Sequence, residues 1–205
     1  MKAILGKKVG MTSIFDAAGK NIACTVIEAG PCVVTQVKTV ATDGYNALQL
    51  GFGSKKEKNT SAGAKGHFTK ANTAPKTYLH EIRDAEMQKA LGDIVDTSVF
   101  AEGEKVNIIS KTKGRGFQGV VKRHGFSGVG QATHGQHDRS RAPGSLGNSS
   151  DASRVMKGMR MAGRMGQNRV KIKNLKVVKI FPEQNLIVVS GAIPGSKGTF
   201  VIIEK

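Results

Sequence analysis

Residues 170–205 read VKIKNLKVVKIFPEQNLIVVSGAIPGSKGTFVIIEK, and this stretch decides the fold class. Val170 and Ile172 alternate with Lys171 and Lys173, the period of two that gives a strand one apolar and one polar face. A second apolar run at 177–181 meets a turn at 182–185. A third at 186–189 runs to Gly191, Ala192-Ile193-Pro194-Gly195 turns the chain again, and 200–203 is a fourth. Short β-branched runs separated by turn residues predict antiparallel barrel strands with one face buried.

The first half of the chain has the same grammar. Short apolar runs at 4–5, 9–11 and 14–15 precede a turn at 16–21 that contains Gly19. Runs at 22–27, 33–40 and 47–52 follow, divided by Gly30-Pro31 and by Thr42-Asp43-Gly44. Spacing of about ten residues predicts an antiparallel barrel or sandwich rather than βαβ units. Further strands are expected at 78–82, 94–100 and 106–109, with a short helical segment at 84–91 ended by Gly92. Residues 54–77, SKKEKNTSAGAKGHFTKANTAPKT, read as a long basic loop. It is either a second nucleic-acid contact or a solvated excursion, with His67 and Phe68 as its candidates for stacking on a base.

Between the two β-patterned parts, residues 111–170 break the grammar: KTKGRGFQGVVKRHGFSGVGQATHGQHDRSRAPGSLGNSSDASRVMKGMRMAGRMGQNRV. Twelve Lys or Arg stand against two acids, Asp138 and Asp151, and twelve of the 26 glycines lie here. So few large apolar side chains cannot offset the entropy of ordering the segment alone. The sequence therefore predicts a β-domain of residues 1–120 and 166–205, mainly Val, Ile, Leu and Ala inside, that carries an irregular glycine-rich extension, 121–165. Of the net charge of +17, the 111–170 stretch supplies +10 and the remainder, with 20 bases and 13 acids, +7. That exceeds what solubility requires. Its clustering on a segment unable to fold alone points to a polyanion, nucleic acid first, over a merely solvated face.

Other chemistries are excluded by the same residues. Cys24 and Cys32 lie in apolar runs with no further Cys, which predicts buried thiols and not zinc. No run approaches the ~18 apolar residues of a membrane span, and MKAILGKKVGM lacks a signal-peptide core, so a cytoplasmic location is expected. Gly114-Arg115-Gly116-Phe117-Gln118-Gly119 matches GxGxxG, but glycines at 125, 128, 130 and 135 deny it the helix a dinucleotide site needs. Bare backbone for close approach to phosphate is the better reading. His134 and His137 have HxxH spacing without a completing carboxylate or Cys. His137, Asp138 and Ser140 are triad types without rigid support. Met156, Met159, Met161 and Met165 interleave with Lys157, Arg160 and Arg164, and Gly158, Gly163 and Gly166 interrupt the stripe. That pattern suits an adaptable apolar side on an irregular surface, with cations facing phosphates.

Several blocks in order, nearly end to end, resemble the bacterial ribosomal protein L three family. They are LGKKVGMT (5–12), GHF (66–68), KTKGRGFQGVVKR (111–123), PGSLG (143–147), MAG with MG (161–166) and LIVVSGAIPG (186–195). The resemblance implies a translation-protein-like antiparallel β-barrel and a structural, non-enzymatic role in the large ribosomal subunit. It implies direct binding to 23S ribosomal RNA, early action in subunit assembly, and neighbours such as ribosomal proteins L fourteen and L nineteen. It implies no cofactor, metal, membrane or small-molecule substrate. Carried onto this chain, the RNA contacts are Lys7, Lys8 and His67, then Lys113, Arg115, Lys122, Arg123 and His124. They continue through His134, His137, Arg139 and Arg141 to Arg154, Lys157, Arg160, Arg164 and Arg169. Gly144, Ser145, Leu146, Gly147 and Asn148 fall at the tip that the family directs towards the peptidyl transferase centre. Some relatives carry a methylated Gln where this chain has Asn148, a shorter amide, and no modification is expected here. Two other classes compete: a free RNA chaperone or nucleoid-type protein, indifferent to which nucleic acid it binds, and an RNA-modifying enzyme that retains a cofactor or metal.

Overall fold

The computed structural model describes residues 2–16, 19–84, 89–130, 134–148 and 150–205. In chain order the elements are β1 (Ala3–Phe15), β2 (Asn21–Ala29), β3 (Cys32–Lys38), the helical turn α1 (Val40–Asp43), β4 (Ala47–Ser54), α2 (Ala62–Lys70) and β5 (Lys76–Arg83). Then follow β6 (Ile94–Val95), β7 (Lys105–Lys111), β8 (Phe117–Gln118), α3 (Val120–His124), β9 (Gly163–Arg164), β10 (Arg169–Phe181), β11 (Leu186–Ser190) and β12 (Phe200–Glu204). The chain divides into two compact units, one of Met1–Thr112 with Arg169–Lys205 and the other Lys113–Asn168.

The first unit is mainly β and antiparallel throughout. Six strands close into a barrel in the order β1-β12-β7-β10-β11-β2, and a second sheet has the order β5-β4-β3-β6. Burial follows this layering. Val201, Ile202 and Ile203 of β12 are buried in succession, as are Ala3, Ile4 and Leu5 of β1, because these strands are covered on both faces. β10 instead keeps most of its length exposed and turns Ile172, Leu175 and Val177 inward. Phe200 joins the layers: it stacks on Tyr78 of β5 at 4.7 Å and meets Phe52 of β4 edge-on at 6.2 Å. Gly6 is where two backbones crowd, since a Cβ there would lie 2.6 Å from the Glu28 carbonyl oxygen. Buried polar groups are paired: Thr25 donates to the Gly191 carbonyl at 2.7 Å and Ser110 to that of Phe200 at 2.9 Å. Both cysteines are buried; the Cys32 thiol donates to the Leu5 carbonyl at 3.3 Å, and burial pushes its pKa up to about 12.

Four sequence expectations change. The three runs within 4–15 form the single strand β1, because Lys8 turns inward rather than breaking it. Its ammonium is buried and donates to the carbonyls of Ile193 at 2.8 Å and Gly195 at 3.1 Å. The runs at 170–173 and 177–181 likewise form one strand, β10. The Asn174 between them takes φ +61° and makes a bulge, where its N–H donates to the Asn107 side chain at 3.2 Å. Residues 54–77 are not a bare loop: they hold α2. Gly63, Gly66 and a polar composition hide this helix, which is anchored by the buried Phe68 and Ala71, so tertiary burial overrides a weak propensity. Residues 94–100 pair with β3 only at Ile94 and Val95 and then turn through a 3-10 segment, Thr97–Val99. Of the expected helical segment at 84–91, residues 85–88 lie outside the described residues.

Lys8 is thus a structural residue, while Lys7 beside it is exposed. Lys8→Met should lower the free energy of unfolding by about 1–3 kcal/mol in urea melts, by leaving two carbonyls unpaired. Lys7→Met should change it by less than ~0.5 kcal/mol. Equal effects would contradict this division. A second expectation concerns His80, half-buried on β5, whose pKa is lowered from 6.5 by burial and then by the Arg169 charge, against Glu204 and Glu81. A histidine held neutral by the fold contributes stability above its unfolded pKa and loses it as pH falls below 6.5. The drop in Tm between about pH 7.5 and about pH 5.5 should therefore be smaller in His80→Gln than in the parent.

Candidate nucleic-acid interface

The second unit, Lys113–Asn168, begins and ends in a narrow ladder. Phe117 pairs with Arg164 and Gln118 with Gly163 across β8 and β9. The Arg115 N–H donates to the Met165 carbonyl, and the Met165 N–H to that of Gly116, both at 2.9 Å. Gly166 takes φ +79° where the ladder is tightest: a Cβ would lie 2.0 Å from the Lys113 carbonyl oxygen. Lys113, Arg115 and Arg164 are thereby gathered at this end, all exposed.

Five residues are all that the glycines leave for α3, which Gly125 ends in the left-handed region at φ +74°. Its buried residue is Val120. Lys122 stays exposed. Arg123 and His124 reach across the unit, and both meet the Met161 carbonyl oxygen, at 2.6 Å and 3.1 Å. Two candidate contacts thus brace the 160–164 segment and are half-buried. Their spacing in sequence gives no hint of this, because the partner is a main-chain oxygen 38 residues away from Arg123.

A 3-10 turn spans His137–Arg139. Gly128 approaches it so closely that a Cβ would lie 2.0 Å from the Ser140 carbonyl oxygen. His134, His137, Arg139 and Arg141 are exposed around it. A concavity lined by Phe126, Val129, Gln136, Arg139, Pro143 and Gly144 opens beside them. The expected tip residues Gly144, Ser145, Leu146, Gly147 and Asn148 are exposed, and the Ser145 hydroxyl donates to the Gly147 carbonyl at 3.1 Å. Every residue from 150 to 162 is exposed, including Arg154, Lys157 and Arg160 and the methionines Met156, Met159 and Met161. The methionine stripe is not a core.

The electrostatics of the two units differ. Ion pairs in the first join Lys38 to Glu81, Lys171 to Glu204 and Lys205 to Glu104. Among the described residues, no ion pair involves a Lys or Arg of Lys113–Asn168. Ten cations against Asp138 and Asp151 leave that unit at +8. Exposed, unneutralised Arg and Lys on bare backbone can bind phosphate oxygens, and exposed Met, Phe117 and His can cover base or sugar faces. Among the described residues no group of three or more His, Cys, Asp or Glu is placed to hold a metal ion.

Of the remaining candidates, Lys7, Lys8, His67 and Arg169 belong to the first unit. His67 sits on α2, half-buried, with its Nε2 at 2.8 Å from the Gln49 side-chain oxygen. Arg169 is exposed at the start of β10. Lys105, Lys173 and Lys176 were not among the candidates. In sequence they look like the solvent face of strands, and only the β7–β10 register brings them together.

A family profile described as ribosomal protein L3 matches residues 77–187, a span from β5 to β11 that includes the whole second unit. The large ribosomal subunit protein uL3 of Salinibacter ruber is 56% identical to this chain over 203 residues, covering 98% of each protein. A continuous match at that identity, together with the profile over more than half of the chain, makes this protein a member of the ribosomal protein L3 family.

Proposed function

We propose that the protein is a structural constituent of the large ribosomal subunit that binds 23S ribosomal RNA, with no chemistry of its own. The observation that carries this reading is the second unit. It holds ten Lys and Arg, a stretch exposed from 150 to 162, and no ion pair to its cations among the described residues. Such a surface matches a phosphate backbone. About eight phosphate contacts would give a log–log salt slope of roughly −6 to −7. Shape and 2′-hydroxyl contacts, rather than a base code, supply the specificity.

In this reading residues 121–165 are the part that penetrates RNA, with the Gly144–Asn148 run nearest the peptidyl transferase centre and Asn148 unmodified. The barrel is of the translation-protein kind. The protein joins the subunit early in assembly and lies beside ribosomal proteins L fourteen and L nineteen. The contacts run from Lys113 to Arg169, with Lys7 and His67 from the first unit. Lys8 is left out, because its ammonium already serves the barrel. The runner-up, a free RNA chaperone, shares the basic surface but not the family's place in a defined subunit.

Hydrogen exchange read by mass spectrometry, on the free protein and on the protein in the large subunit, tests the reading. Residues 121–165 should exchange fast when free and slowly in the subunit, while β7, β10 and β12 stay protected in both. Slow exchange across 121–165 in the free protein would show a packed domain and sink the arm reading. Equal competition by unrelated RNA in a binding assay would favour the chaperone instead.

A further inference from the structure

The barrel's own outer surface carries a charge arrangement that the arm does not explain. In the β7–β10 ladder, Lys111 stands directly opposite Arg169 and Lys105 directly opposite Lys176. Opposed residues on paired strands share a face, and like charges so placed destabilise a sheet. The alternate residues Val106, Ile108 and Ser110 are buried; on the cations' own face Ile109 is buried as well, while Lys171, opposite it on β10, is exposed and paired with Glu204. All four cations are exposed, as is Lys173 between the two pairs.

Register slippage does not relieve the repulsion, because the ladder is pinned. The bulge at Asn174, φ +61°, is tied to the Asn107 side chain at 3.2 Å, and it brings Lys176 back onto the face that Lys173 leaves. Nearby acids are already engaged. Glu204 pairs with Lys171, Glu104 pairs with Lys205, and Glu102 accepts the Ile180 N–H at 3.1 Å. Among the described residues, Lys105, Lys111, Arg169, Lys173 and Lys176 make no ion pair. Lys105 and Lys111 are six residues apart on an extended strand, about 20 Å. The result is a pair of exposed cations at each end of the ladder, joined along β10 by the exposed Lys171 and Lys173 rather than along β7, where Ile109 is buried.

We infer that the outer face of the β7–β10 ribbon is a second RNA-backbone contact surface, separate from Lys113–Asn168 and built on the rigid barrel. This rests on the reading of the protein as an RNA-binding one. It adds that the barrel grips a strand by itself, through register-opposed cations that only a polyanion neutralises.

The test uses the full chain and a 23S ribosomal RNA transcript, with affinity measured against salt. Lys105→Gln/Lys176→Gln removes one cation from the first strand and one from the second. It should make the salt slope shallower by about 1.4–1.8, at 0.7–0.9 per phosphate lost. It should also leave the unfolding midpoint unchanged or raised, because repulsion is relieved. Lys105→Arg/Lys176→Arg should keep the parent slope. Should the Gln double variant fold poorly, Lys173→Gln, at the bulge, should still flatten the slope by about 0.7–0.9. The arm control is Arg154→Gln/Arg160→Gln. An unchanged slope in the ribbon variants with a shallower slope in the control would overturn the ribbon and leave the arm standing. An unchanged slope in all of them would overturn both. Ribbon variants that bind RNA normally but fail to enter reconstituted subunits would assign the face to an acidic protein and overturn the RNA assignment.

Discussion

Strand β12 is hydrogen-bonded along both edges, to β1 and to β7, and covered on both faces. The rest of the first unit depends on it. Val201 and Ile203 are buried together with Ile202, so a break in this strand would open the barrel and uncover the second sheet at once. Phe200, at its start, is the ring against which Tyr78 and Phe52 pack. Because β12 anchors β7 along one edge, β7 can hold β10 along the other, and β10 can remain exposed for most of its length without fraying the barrel.

Charge is handled in two ways within one chain. The first unit neutralises part of its own. The Lys38 ammonium and the Tyr45 hydroxyl both hydrogen-bond Glu81 and hold its carboxyl below the usual range, and Lys205 does the same for Glu104. These pairs are surface features of modest worth. Their meaning lies in the contrast with Lys113–Asn168, where the described cations have no such partner. A monomer optimised for its own stability would not keep ten cations with two acids on so little apolar surface. On the proposed reading, the missing counter-charge and the missing packing have one source, the RNA.

The strands were legible where burial leaves a period or a run: β7, β11 and β12 begin and end within a residue or two of the apolar runs that announce them. Legibility failed where a single long-range contact decides the outcome. Lys8 reads, through the family resemblance, as an RNA contact, and it is buried with its ammonium on carbonyls of a loop 185 residues away. Phe68 reads as a stacking candidate in a loop, and it is the buried anchor of α2. Asn174 reads as the end of one strand, and it is a bulge inside a longer one. For the interface, composition located the basic segment and its bare backbone, since neither depends on register. It missed that Arg123 and His124 brace Met161, and it missed the opposed cations of β7 and β10, because pairing across strands is not written in either strand alone.

Glycine has two distinct roles in the second unit, and they separate what the chain builds alone from what it leaves open. Gly128 and Gly166 have positive φ, and a Cβ on either would strike a carbonyl oxygen at 2.0 Å. These glycines make internal contacts, and with the β8–β9 ladder and α3 they give part of the unit a structure of its own. Gly158 also has positive φ, but nothing lies within 4 Å of its Cβ position, and it sits in a stretch exposed from 150 to 162. There the backbone is bare without any neighbour to accommodate. A stretch that buries nothing has no internal source of packing free energy to set against its ordering entropy. On the proposed reading, the contacts that order it come from the RNA. The four cations and three methionines from Arg154 to Arg164, namely Arg154, Lys157, Arg160 and Arg164 with Met156, Met159 and Met161, are the side chains available to make them.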